Sequence, residues 1–227
     1  MKRRRKMRII HWSDFNCPYS YIGLKRLSDA VDELNLTPEW ELKAFELEPM
    51  LDTKPTTSMI IRHATKFAIT PSKAEEEMAE IDELAKSDGL DINYKGTQMT
   101  SSRNAHRLTK FVQRKHPEHS QELIFKIYEA NFTKNEIIAD IDVLTGIATS
   151  VGLDEDEVRS VLSGNSYDLE VDLDMEDARF NGLNSVPFYI LTYNEEQLSV
   201  PGAFEKIDFK IALEDLISGK IRYKTFI

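Results

Sequence analysis

The chain has 227 residues, 41% of them hydrophobic and 30% charged, with a net charge of -10 and a single cysteine. That length and apolar share can build a sizeable core. The acidic balance argues against nucleic acid as a partner, and one thiol excludes an internal disulfide or a cysteine-based zinc site.

No apolar run approaches the roughly 18 residues that a membrane helix needs, so no membrane partner is expected. The basic cluster Lys2 to Lys6 reads as a solvated tail. The stretch after it, Met7 to Phe15, contains His11, Ser13 and Asp14 and lacks the apolar region of a signal peptide. The expected location is therefore cytoplasmic.

Met7 to Trp12 predicts a short strand, with Ile9 and Ile10 as its buried run. A loop, Ser13 to Asn16, leads to a helix from Pro18 to about Leu34, with Leu24, Leu27, Val31 and Leu34 on one face. Pro18 suits the first helical position, where its missing N–H is not needed. Glu39 to Leu47 predicts a second strand, alternating Trp40, Leu42 and Ala44 with charged neighbours. A parallel pair joined by a right-handed crossover follows from this order.

From about Thr56 to Phe180 the pattern is helical almost throughout. Pro71 opens a charged helix that Gly89 closes. Ser101 or Ser102 caps a helix carrying Arg103, His106 and Leu108, which ends before Pro117. Pro117 starts the next, Asp140 caps another that ends near Gly152, and Asp154 to Leu162 and Tyr167 to Phe180 complete the set. Strand character returns at Val186 to Leu191. The polar turn Tyr193 to Glu196 leads into Leu198 to Val200 as an antiparallel hairpin. Phe204 to Ile217 closes the chain as an amphipathic helix.

The resulting order is β-α-β, many helices, then β-β-α. This is an α/β fold, a split thioredoxin-like core with a large all-helical insertion. Residues 7–55 and 181–227 are expected to form the thioredoxin-like domain, and residues 56–180 the insertion. The apolar faces of the insertion could pair two copies into a homodimer.

The chemistry concentrates at Cys17-Pro18-Tyr19-Ser20, between the first strand and the first helix. The free N–H groups and positive end of a helix favour an anion there. The Cys17 thiol is therefore expected to ionise more easily than a free cysteine, at about 8.5. Ser20 is three residues on, so its hydroxyl can reach back to the sulfur, but it cannot form a disulfide. Asp14 is the nearest acid, and its charge would oppose the thiolate. Val186-Pro187 is the second element: a tight turn there would leave Val186 backbone groups open to an extended peptide or glutathione. Arg103 and His106 share one helix face. They read either as an ordinary charged pair or as groups held over Cys17 to bind substrate. His116 and His119 lack a carboxylate cluster, and no metal is expected.

The motifs Ser13-Asp14-Phe15-Asn16-Cys17-Pro18-Tyr19-Ser20-Tyr21-Ile22-Gly23, Phe45-Glu46-Leu47-Glu48-Pro49, Ala105-His106-Arg107-Leu108, Ser185-Val186-Pro187-Phe188-Tyr189-Ile190 and Val200-Pro201-Gly202-Ala203 occur in order along the chain. Together they resemble the FrnE-like branch of the DsbA family, whose usual site is Cys-Pro-Trp-Cys followed by Tyr-Ile-Gly. The resemblance implies a thioredoxin fold with a helical insert, a cis bond before Pro187, and thiol-disulfide oxidoreductase activity. Its site would comprise Cys17 and Ser20 as catalytic groups and Pro18, Tyr19, Val186, Pro187, Arg103 and His106 as substrate contacts.

Ser20 stands where that family's second, resolving cysteine lies. Release of a mixed disulfide then falls to an external thiol. No tightly bound cofactor is expected, with glutathione or another low-molecular-weight thiol as the natural co-reactant and a protein or small-molecule disulfide as substrate. Pro18-Tyr19-Ser20 is also similar to the site of the kappa-class glutathione transferases and 2-hydroxychromene-2-carboxylate isomerases, which use glutathione. Cys17 stands where their catalytic serine would be. Three readings follow: a monothiol oxidoreductase, a glutathione-dependent isomerase or transferase, and a non-catalytic module that binds a peptide at Val186.

Overall fold

A computed structural model of the chain describes residues 7–220. The Lys2 to Lys6 cluster lies outside the described residues. Strand β1 (Met7–Ser13), helix α1 (Pro18–Glu33) and strand β2 (Glu39–Ala44) come first. The helices α2 (Met59–Phe67), α3 (Pro71–Ser87), α4 (Arg103–Lys115), α5 (Ser120–Phe132), α6 (Ile141–Ser150), α7 (Glu155–Ser163) and α8 (Asp168–Phe180) follow. Strands β3 (Phe188–Tyr193) and β4 (Glu196–Pro201) and helix α9 (Lys206–Ser218) end the described chain.

The sheet order is β2-β1-β3-β4, with β1 and β2 parallel and the β1–β3 and β3–β4 pairs antiparallel. Alternation along the strands gives the sheet two buried faces. On one, Ile9, Tyr189, Leu191 and Val200 pack with Leu27, Ala30 and Val31 of α1 and Phe209, Leu213 and Leu216 of α9. On the other, Trp12 packs with Phe45 and with Met175 and Ala178 of α8. Opposite periodicities therefore meet: period two in the strands, and a stripe of i, i+3, i+4 on each helix.

The chain divides into two compact units. One holds the sheet and is bounded by Phe45 and Asp174; the other is Glu46–Leu173. The expected boundaries at 55 and 180 are thus displaced. The last two turns of α8 belong with the sheet because Met175 and Ala178 supply its second core, and the Asp174 carboxylate accepts the Ala44 N–H at 2.8 Å. Strand β2 ends at Ala44 rather than Leu47, since the Phe45 N–H makes the final bond to the Ser13 carbonyl and Glu46 turns into the helical unit.

Strand β3 starts at Phe188 instead of Val186. Pro187 has no N–H for the ladder, and its carbonyl is taken by the Gly202 N–H at 2.8 Å. The hairpin is tighter than expected: Tyr193 pairs with Glu196, leaving Asn194 and Glu195 as a two-residue loop. Asn194 takes the positive φ of 58° that such a turn requires.

Within Glu46–Leu173, buried Leu108, Phe111, Val112, Leu123, Ile127 and Tyr128 form much of the apolar interior. Asp140 and Asp154 cap α6 and α7 through their side chains. No helix among the described residues is long and apolar enough to cross a membrane.

Candidate active site

Three residues before the cysteine, the Asp14 carboxylate accepts the Asn16 N–H at 3.1 Å and the Asp14 carbonyl accepts the Cys17 N–H at 3.0 Å. This Asx-type turn lifts the chain out of β1 and sets Cys17 as the N-cap of α1, in extended conformation (φ -103°, ψ 111°), with Pro18 opening the helix. The Ser20 N–H closes the first turn on the Cys17 carbonyl at 3.0 Å.

The Val186–Pro187 peptide bond is cis. It brings the Val186 carbonyl to 3.5 Å from the Cys17 sulfur, where the thiol donates to it. Pro187 is buried and Val186 half-buried. The Val186 N–H makes no hydrogen bond among the described residues. Tyr19, at 45% exposed, is the open rim of the site. Six of the eight expected site residues, Cys17, Pro18, Tyr19, Ser20, Val186 and Pro187, therefore meet at one place in the sheet-bearing unit.

The expected easy ionisation of Cys17 is corrected by the structure. The residue is 5% exposed, and burial pushes its thiol up to about 11. The Ser20 hydroxyl and the N–H groups of Ser20 and Tyr19 oppose that rise, while the Asp14 charge adds to it. The helix-end donors are present as foreseen, but desolvation outweighs them.

Arg103 is occupied within the helical unit. Its guanidinium bonds Asp168 at 2.9 Å, Asp172 at 2.7 Å and Glu46 at 3.1 Å. Burial alone would lower its pKa, but bonds to Asp172, Asp168 and Glu46 more than offset this, and it ends raised. His106 is fully buried on α4. Arg107, the next residue of α4, donates to the carbonyls of Val161, Gly164 and Ser166 and ties down the end of α7 and the loop after it. This helix thus spends its cations on holding its own unit together. His116 and His119 pair with Glu157 and Glu118, and no group of three or more potential metal ligands occurs among the described residues.

One residue of this site was missed in the sequence. Tyr189 of β3 sends its hydroxyl, fully buried, to the Gly23 position of α1, where a Cβ would lie only 2.5 Å away. A glycine inside an otherwise helical pattern was the available signal.

Residues 8–214 match the DSBA-like thioredoxin domain family. The chain belongs to that family. This places it among the DsbA-like thioredoxin-fold oxidoreductases. A probable DsbA oxidoreductase from Streptomyces coelicolor is 25% identical and superposes with a TM-score of 0.84, over 97% of this chain and 94% of that one. The uncharacterized protein YwbO of Bacillus subtilis (strain 168) is 25% identical over 90% of this chain and 94% of its own length. The cytosolic disulfide reductase DsbM of Pseudomonas aeruginosa, in a structure with GSH, shares the fold: TM-score 0.62, 15% identity, 92% of this chain and 98% of that one.

Proposed function

We propose that this DsbA-like protein is a monothiol oxidoreductase of the FrnE-like type, in which Cys17 exchanges with disulfides. The observation that carries the reading is the placement of the only thiol at the start of α1, 3.5 Å from the Val186 carbonyl beside the cis bond. The Cys17 thiolate attacks one sulfur of a substrate disulfide. A Cys17–substrate bond forms, the substrate S–S bond breaks, and the other sulfur leaves as a thiolate. Ser20 has no sulfur with which to resolve this adduct. An external thiol such as glutathione attacks the substrate sulfur, takes it as a new mixed disulfide, and returns Cys17 as thiolate.

The half-buried Val186, whose N–H makes no hydrogen bond among the described residues, offers a backbone donor to an extended peptide or a glutathione tripeptide. Because burial holds the thiol at about 11, the reaction at neutral pH runs through a small thiolate fraction of high intrinsic nucleophilicity. A role as a free thiol fits a reducing compartment, and we place the protein in the cytoplasm on that ground.

Incubation with oxidised glutathione, followed by mass analysis of the intact chain, tests this. One glutathionyl group on Cys17, removed by reduced glutathione and absent in Cys17→Ala, is expected. No adduct from neutral pH up to about 11 would refute the proposal. An isomerase-type site would instead bind reduced glutathione without that adduct, and a non-catalytic module would do neither.

A further inference from the structure

We infer that the Tyr189 phenol, acting through the Ser20 hydroxyl, supports the Cys17 thiolate, which makes Tyr189 a positioning residue for the exchange chemistry. The inference rests on Cys17 being the working group. Cys17, Ser20 and Gly23 are spaced three apart, so they line up along one face of the first turns of α1. The ideal Cβ of Gly23 would fall 2.5 Å from the Tyr189 hydroxyl. A helical Cβ leans toward the helix N-terminus, so the space it would fill faces Ser20, and the phenol occupies it. Neighbours three apart on a helix bring their Cβ atoms to about 5–6 Å, a span that two hydroxyls can bridge across one water.

Both hydroxyls are fully buried, and among the described residues neither meets full hydrogen-bond geometry with a protein group, although that of Ser20 lies close enough to the Cys17 sulfur to favour its thiolate. Leaving a buried polar group unmatched is costly, so each of these hydroxyls is set to engage a partner. Two such groups share one column that ends at the sulfur, with the phenol at the Gly23 level and the serine beside the thiol. The other titratable and charged groups around the column have their own partners. Arg26 of α1 donates to the carbonyls of Ala203 and Phe204 and pairs with Glu205. His11 of β1, stacked on the Tyr189 ring at 6.0 Å, bonds the Ser13 hydroxyl at 2.9 Å. Asp14 caps the turn before α1. The electrostatic influence of Cys17 reaches the phenol, in keeping with their closeness.

Alkylation of Cys17 by iodoacetamide, followed as a function of pH, reads the thiolate without any disulfide substrate. A failed exchange reaction and a failed relay are therefore distinguishable. Tyr189→Phe removes one oxygen that makes no protein hydrogen bond, so the fold persists, and circular dichroism checks this. A rise of about one unit in the thiol pKa cuts the thiolate tenfold, of which the greater nucleophilicity returns about threefold. The alkylation rate below the midpoint is expected to fall about threefold in Tyr189→Phe. It should fall at least as far in Ser20→Ala, and no further in the double variant. An unchanged profile in Tyr189→Phe would overturn the inference. Losses that simply multiply in the double variant would also overturn it, because the phenol would then not act through Ser20.

Discussion

Adding a single methyl group at Gly23 tests the packing that underlies the site. In Gly23→Ala the new Cβ would meet the Tyr189 hydroxyl at 2.5 Å and both Cα and Cβ of Ala203 at 3.1 Å. None of these neighbours can move cheaply. The Tyr189 ring is fully buried, stacked on His11 and edge-on to Phe209 at 5.2 Å. Ala203 is held by the bond from Arg26 to its carbonyl. Alanine is favoured over glycine in a helix by about 1 kcal/mol. Overpacking of a rigid interior costs about 1–3 kcal/mol, and a contact this short belongs at the upper end. The net loss is about 2 kcal/mol, or a fall in Tm of roughly 4–8 °C for a chain of this size. Thermal unfolding of wild type, Gly23→Ala, Tyr189→Phe and the double variant measures it. The double variant should recover about half of the loss, because the hydroxyl contact is gone while the Ala203 contacts remain. A Gly23→Ala protein that melts at or above wild type would refute this packing.

Three further outcomes follow from the charges. Asp14→Asn keeps the acceptor for the Asn16 N–H but removes the charge that raises the Cys17 pKa, so alkylation at about pH 9 should speed up; an unchanged or slower rate would contradict the assignment. Cys17 stays neutral in the folded chain up to about 11 but ionises near 9 when unfolded. Its stabilising contribution, about 3 kcal/mol, is therefore complete below pH 9 and lost as pH rises through 11. Denaturant titrations across that range should show a flatter decline in Cys17→Ala than in wild type. Arg103→Met removes the guanidinium that meets Glu46, whose side chain is 4% exposed, together with Asp168 and Asp172. With Arg103 itself 27% exposed, the cost is about 2 kcal/mol, read as a lower denaturation midpoint, and Arg103→Lys should lose less.

Local chemistry made much of this molecule legible in its sequence. Pro18 after a polar loop located the start of α1, and the apolar run of β1 with the alternation in β2 located the parallel pair. Resemblance at Ser185 to Ile190 placed the proline turn opposite Cys17, which composition alone could not do. What escaped depends on contacts between distant segments. The ionisation of Cys17 was misjudged because helix-end donors are local, whereas burial of the sulfur is assembled partly by Val186, 169 residues away. Tyr189 escaped because a tyrosine in a strand reads as ordinary core, and only the docking of β3 on α1 brings its oxygen to Gly23. Arg103 and His106 shared a face as foreseen, yet the acids that occupy Arg103 come from Glu46 and from α8. The second core explains the displaced boundary at Asp174: only the Trp12 side of the sheet shows that α8 changes units along its length.

Turnover of a glutathionylated peptide with reduced glutathione, compared across wild type, Cys17→Ser and Ser20→Ala, probes the sulfur chemistry most directly. Deglutathionylation should vanish in Cys17→Ser and persist, slowed, in Ser20→Ala. Activity that survives the loss of Cys17 but disappears with Ser20 would contradict the account.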